Sequence, residues 1–160
     1  MLLVAPLLVS SWPAAALPPP RGKVILTLGG RIGEHNAAGQ AQFDLAMIEA
    51  LEQRSFTTMT PWSRQPVRFS GPLLRELLAV VRASGSQISA YALNDYKVII
   101  PLDDALRYDV IVATRMDGNP IPVRTKGPLF VVYPFDSRAE LQSARYHERS
   151  IWQLKSMVID

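Results

Sequence analysis

Two stretches of this chain repeat apolar residues at helical spacing, while six or more others are short β-rich runs. That ratio points to an α+β domain, mostly β, built on a mixed or barrel-like sheet with a few short helices. The strand-like runs are residues 23–28, stopped by Gly29-Gly30, then 56–62 closed by Pro61, then 66–69, 88–93, 96–100, 110–114, 129–133 and 151–159. Asp117-Gly118-Asn119-Pro120 carries a hairpin signal between two of them. Asp44 is placed to cap a helix whose apolar positions are Leu45, Ile48 and Leu51. Pro72 is expected at the start of a second helix, with Leu73, Leu74, Leu77, Leu78 and Val81 on one face and an end near Gly85. Pro101 with Asp103-Asp104 opens a short helical turn toward Tyr108. Regular βαβ alternation and internal repeats are both lacking.

A length of 160 residues suits one domain with a substantial core. The opening segment is of different material. Residues 1–16 carry no charge and read as a short apolar run followed by small residues, the pattern of a secretory signal cleaved after Ala16. Pro6 and Pro13 interrupt any helix there, and the run falls short of the about 20 apolar residues that a membrane span needs. The expected organisation is therefore a signal peptide over 1–16, a linker over 17–22 and one domain over 23–160. The mature protein is expected in the periplasm and not to span the membrane.

Several function classes find no support. The net charge is +3, with basic residues scattered singly, so no nucleic-acid footprint is visible. The two histidines, His35 and His147, fall in separate expected loops without zinc spacing. No Gly-x-Ser-x-Gly elbow accompanies Ser63, Ser70 or Ser150. Gly29-Gly30-Arg31-Ile32-Gly33 lacks the spacing of a nucleotide loop and reads as a turn. Asp103-Asp104 reads as a helix start in preference to a calcium site.

What is left is material for a pocket that holds a flat polar heterocycle. Trp62 sits where a strand turns and offers a stacking wall, with a core tryptophan as the competing reading. Asn94-Asp95-Tyr96 lies between two strands; Asp95 offers a carboxylate to paired N–H donors and Asn94 both donor and acceptor, although an Asn-Asp pair also makes an ordinary turn. Arg124 and Lys126 precede an apolar strand and reach polar oxygens, while Gly127 permits close backbone approach. Tyr146-His147-Glu148-Arg149-Ser150 reads as a polar loop able to close over the site, with Tyr146 as its ligand contact.

These pieces have a shared context. Thr57-Thr58-Met59-Thr60-Pro61-Trp62, Gly71-Pro72-Leu73-Leu74, Ala92-Leu93-Asn94-Asp95-Tyr96, Lys126-Gly127-Pro128-Leu129, Val132-Tyr133-Pro134-Phe135-Asp136 and Ser150-Ile151-Trp152-Gln153-Leu154 together make the chain resemble the oxidoreductase molybdopterin-binding domain, the sulfite-oxidase catalytic fold. It looks most similar to the small PruR-type periplasmic pterin-binding proteins. The resemblance implies a reduced pterin as ligand and a docking partner in the periplasmic region of a membrane signalling protein, either a cyclic di-GMP enzyme or a sensor kinase. Molybdenum enzymes of this type hold the metal through a cysteine thiolate, a position that matches Thr58, and this chain has no cysteine. Related sequences are expected to carry Asp where Thr125 stands. The expectation is a non-enzymatic pterin-binding protein in which pterin is a ligand and molybdenum plays no part. The alternatives are a molybdopterin-dependent oxidoreductase, or a subunit of one, and a domain kept for interaction alone.

Overall fold

The computed structural model describes residues 16–160, so the expected signal peptide lies almost wholly outside the described residues. Among the described residues, three sheets and four short α-helices make up the domain. The largest sheet is mixed and orders its strands β2-β1-β11-β5-β6. These are β1 (Val24–Gly30), β2 (Ala41–Asp44), β5 (Gln87–Ala92), β6 (Lys97–Pro101) and β11 (Leu154–Ile159). Only β1 and β11 run parallel; the remaining pairings are antiparallel. A four-stranded sheet follows the order β3-β4-β8-β9, from β3 (Gln53–Thr58), β4 (Val67–Pro72), β8 (Arg115–Met116) and β9 (Asn119–Pro120). A third pairs β7 (Ile111–Ala113) with β10 (Phe130–Val132). The expected mostly-β α+β class holds. The barrel alternative does not, because each sheet keeps open edges and none closes on itself.

Alternation explains the strands that face solvent on one side. In β1, Leu26 and Leu28 are fully buried while their neighbours are partly exposed. β7 and β10 are buried along their whole length, which fits their apolar runs Ile-Val-Ala and Phe-Val-Val. β1 does not stop at Gly29-Gly30. It runs through them because Gly30, with φ +79°, lies so close to β11 that a Cβ would run into the Ile159 backbone. The Asp117-Gly118 turn joins β8 to β9 with both residues at positive φ, the conformation that a two-residue hairpin requires.

Helix α1 (Leu45–Glu49) begins where Asp44 was expected to cap it, with the Asp44 carboxylate accepting from the Met47 N–H at 2.9 Å. The other carboxylate oxygen accepts from the Arg21 and Gly22 N–H groups, each at 2.8 Å. Leu17 packs against the core and Asn36 donates to the Pro18 carbonyl, so the expected linker is tied onto the domain. The bonds from Gly22 first, and from Met47 next, hold the Asp44 carboxyl below its usual value of 3.8. Because the folded value is depressed, this stabilisation is complete above 3.8 and is lost as pH falls through the lower folded value. Asp44→Asn should therefore destabilise the protein at neutral pH and narrow its deficit in acid, as read by thermal melts across the acid range.

The second helix, α2 (Leu74–Val80), buries Leu74, Leu77 and Leu78 as the spacing demands. It starts later and ends earlier than expected. Pro72 closes β4, Leu73 is the cap residue, and Val81 with Arg82 (φ +52°) ends the helix before Gly85. Helix α3 (Leu102–Arg107) follows Pro101 as expected. The segment expected as a loop at 146–150 is instead helix α4 (Ala144–Arg149). Among the described residues no helix is long and apolar enough to cross a membrane.

Between β7 and β8 the Thr114 hydroxyl is buried with no hydrogen-bond partner. An unpaired buried hydroxyl carries its full desolvation penalty, about 1–3 kcal/mol. Thr114→Val keeps the shape and removes the penalty, so it should raise the unfolding free energy by about 1 kcal/mol, measured by urea denaturation.

Candidate functional site

The β5–β6 hairpin fixes one side of the candidate site. Its loop is a turn from Ala92 to Asp95, with Asp95 donating its N–H to the Ala92 carbonyl at 3.0 Å. Asp95 takes a left-handed φ of +65°, the position that a three-residue hairpin loop needs, and Asn94 accepts from the Tyr96 N–H at 3.1 Å. The turn reading of Asn94-Asp95 is therefore right, and it still leaves Asn94 and Tyr96 facing a cavity of about 340 Å³.

Trp62 forms the opposite wall. It sits on a turn tied by Thr60, whose hydroxyl donates to Ser63 Oγ at 2.9 Å and accepts from the Trp62 N–H at 3.2 Å. The indole is half-buried and meets Phe130 and Phe135 edge-on at 5.9 and 6.3 Å, so it is both a core residue and a cavity wall. Trp152 stands nearly perpendicular to it, at 86° with centroids 5.2 Å apart. The strand entry that carries Trp152 is braced at Gln153 (φ +50°), whose N–H donates to the Lys126 carbonyl at 2.8 Å and whose side chain donates to the Val123 carbonyl. A non-glycine residue held at positive φ beside a cavity is local strain, and it is stabilised here by bonds to the preceding loop.

Helix α4 supplies the third side. His147 and Glu148 line the cavity; the His147 ring lies 5.0 Å from Phe135 and 6.0 Å from Trp62. The helix is anchored from beneath. Arg149 donates to Asp104 at 2.8 Å, Tyr133 donates to the same carboxylate oxygen at 2.7 Å, and the Tyr146 hydroxyl meets that of Tyr108 at 3.3 Å. Burial, then the Asp104 charge, push the Tyr133 hydroxyl well above the usual tyrosine range; the Tyr146 contact and then burial do the same for Tyr108. Both hydroxyls stay protonated and act as structural donors.

Of the residues expected at the site, the structure brings together Trp62, Asn94 and Tyr96. Tyr146 is not with them: the helix turns it inward, where its ring packs on Tyr133 and Tyr108. Asp95 is exposed and paired with Lys155, whose hydrogen bond and charge lower its pKa. Neither residue lines the cavity. Lys126 reaches the site indirectly, with its ammonium 4.4 Å from the Trp152 ring. Arg124 is exposed outside the cavity. Gly127 does permit close approach, but to the chain itself, since a Cβ there would strike the Ile121 carbonyl. Ala92, His147, Glu148, Ser150, Ile151, Trp152 and Gln153 complete the lining and were not among the expected ligand contacts. The available signal was Trp152 in the Ser-Ile-Trp-Gln-Leu piece.

Fold and site together define an α+β domain with an aromatic-walled cavity at a hairpin tip. The oxidoreductase molybdopterin binding domain family matches residues 40–137, and the chain belongs to that family. The chain is also similar to the sulfane dehydrogenase SoxCD of Paracoccus pantotrophus, in its crystal structure, with 12% identity and a TM-score of 0.64. That similarity covers 84% of this chain but 37% of the other, and it establishes a sulfite-oxidase-type fold. No curated protein matches the chain.

Proposed function

We propose that this chain is a non-enzymatic, periplasmic pterin-binding protein that relays ligand occupancy to the periplasmic part of a membrane signalling protein, a cyclic di-GMP enzyme or a sensor kinase. The observation that carries the ligand half is the cavity itself: two perpendicular tryptophans, a tyrosine and a histidine, in a molybdopterin-binding family domain. A flat bicyclic ring stacks on indole faces, and Asn94 and Glu148 give its polar edge both donors and acceptors.

The metal-bearing form of the family's cofactor does not fit the donors present. The chain has no cysteine, and hydroxyl oxygen does not replace a thiolate as a soft ligand. The Thr58 hydroxyl is already engaged, donating to the Met59 carbonyl at 3.2 Å and accepting from the Asp136 N–H at 3.1 Å. Among the described residues no group of three or more His, Cys, Asp or Glu side chains is arranged to hold a metal ion. With Asp95 held by Lys155, Asn94 takes the polar recognition that the sequence had divided between the two.

The relay half rests on the sequence resemblance to the small periplasmic pterin-binding proteins alone. It requires that ligand favour the conformation competent for the partner, since equal affinity for two states transmits nothing. The test is to purify the mature protein from the periplasm, denature it, and assay released pterin by fluorescence and mass spectrometry, with molybdenum measured on the same sample. Pterin without molybdenum is expected. Stoichiometric molybdenum would overturn the proposal in favour of a molybdopterin oxidoreductase subunit. A protein that carries no pterin and takes up none on titration would be an interaction domain alone.

A further inference from the structure

Three arginines from separate parts of the chain converge on a second cleft, of about 490 Å³, that shares no residue with the aromatic cavity. Arg54 comes from β3, Arg107 from the end of α3, and Arg138 from the segment after Tyr133. Phe56, Leu73 and Ile111 supply apolar surface between them. The nearest carboxylates hold these arginines poorly. Arg54 lies 3.3 Å from Glu52, Arg107 lies 3.7 Å from Asp103 and Arg138 lies 4.0 Å from Glu140, all through exposed side chains. The last two separations are beyond hydrogen-bond reach, and exposed pairs of this kind hold little. Arg75, Arg115 and Arg149, in contrast, donate to carboxylates at 2.7, 3.2 and 2.8 Å.

Arg107 and Arg138 also crowd one ring, their guanidinium carbons lying 5.3 and 5.5 Å from the Tyr108 centroid. A guanidinium beside an aromatic ring keeps its N–H groups available to an anion. The neighbouring carboxylates are engaged elsewhere: Arg75 holds Asp109 at 2.7 Å, and Glu140 accepts from the Tyr108 hydroxyl at 2.8 Å. Nor are the hydroxyls free to specify a neutral ligand: Ser137 donates to the Pro134 carbonyl and Ser55 pairs with Ser70. What the cleft presents is planar, multiply donating guanidinium above an apolar floor, which is the complement of a tetrahedral oxyanion on an apolar body.

We propose that this cleft is a binding site for a small organic phosphate, an aryl or alkyl phosphomonoester, with Arg107 and Arg138 on the phosphate and Phe56 against the apolar body. It is independent of any pterin at the other site. The test is calorimetric titration of the full chain with phenyl phosphate and, separately, with inorganic phosphate. The expected result is saturable one-to-one binding of phenyl phosphate, severalfold tighter than inorganic phosphate. Arg107→Ala and Arg138→Ala should each weaken it by roughly tenfold or more, the loss expected for a charge-assisted bond. Arg138→Lys should weaken it less than Arg138→Ala. Arg145→Ala, the same charge change at an exposed residue of α4 outside the cleft, should leave it unchanged. Circular dichroism checks that each variant is folded. Absence of saturable binding, equal affinity for the two phosphates, or an equal loss in Arg145→Ala would overturn the proposal.

Discussion

Trp152→Ala should weaken pterin binding by roughly ten- to a hundredfold while leaving the protein folded, and Trp62→Ala should do the same at a greater cost in stability. The affinity estimate comes from stacking, which is worth about 1–3 kcal/mol for a heterocycle on an aromatic side chain, with about 1.4 kcal/mol per decade of affinity. The stability difference comes from position. Trp152 is 36% exposed and meets Phe130 edge-on at 6.3 Å, whereas Trp62 meets both Phe130 and Phe135. A loss of binding in Trp62→Ala alone could reflect a disturbed core, so the pair is needed. Titration of both variants with a reduced pterin, beside their urea unfolding curves, separates the two effects. If Trp152→Ala binds as tightly as the parent, the cavity is not where the pterin stacks.

Asp95 makes the contrasting case. Its carboxylate is spent on Lys155, and its backbone on the left-handed position of the hairpin loop. Asp95→Asn should therefore leave pterin affinity close to that of the parent, and Asn94→Ala should lower it.

The strand and helix pattern was legible where one face of an element meets solvent. The caps, prolines and turn residues did the rest: Asp44 at α1, Pro101 before α3, Asp117-Gly118 between β8 and β9. Failures came where long-range packing overrides a local rule. Gly29-Gly30 looks like a stop, but β11 lies against it and continues the strand. Helix α4 was hidden because its inward face carries Tyr146 and Arg149, polar residues whose partners Tyr108 and Asp104 lie far away in sequence. Read without those partners, Tyr-His-Glu-Arg-Ser is a hydrophilic loop. Once Arg149 is neutralised by a buried Asp104, it becomes a helix that turns His147 and Glu148 into the cavity. The aromatic character of the site was legible through Trp62 and Tyr96. The turn that directs Asp95 to Lys155, and the helix that takes Tyr146 inward, were not.

That anchor beneath α4 predicts the largest loss of stability from a single change. Asp104 is 5% exposed and accepts from both Arg149 and Tyr133 on one carboxylate oxygen. Removing one member of a buried ion pair strands the other without water or a counter-charge, which costs about 3–5 kcal/mol. Arg149→Ala leaves the carboxylate with the Tyr133 hydroxyl alone and should lie in that range. Asp104→Ala should cost less, because the Arg149 side chain is 19% exposed and its charge can turn toward solvent. The double variant should be less destabilised than the sum of the two, since the second truncation removes the charge that the first had stranded. Replacing the pair with Leu at 104 and Met at 149 should recover much of the loss. Urea denaturation of the four proteins supplies the cycle, and purely additive losses would mean that the Asp104–Arg149 contact holds nothing. Arg149 also ties the end of α4 to Asp104 of α3, so Arg149→Ala should weaken pterin binding even where the protein is still folded; an intact affinity in that variant would show that His147 and Glu148 keep their places without it.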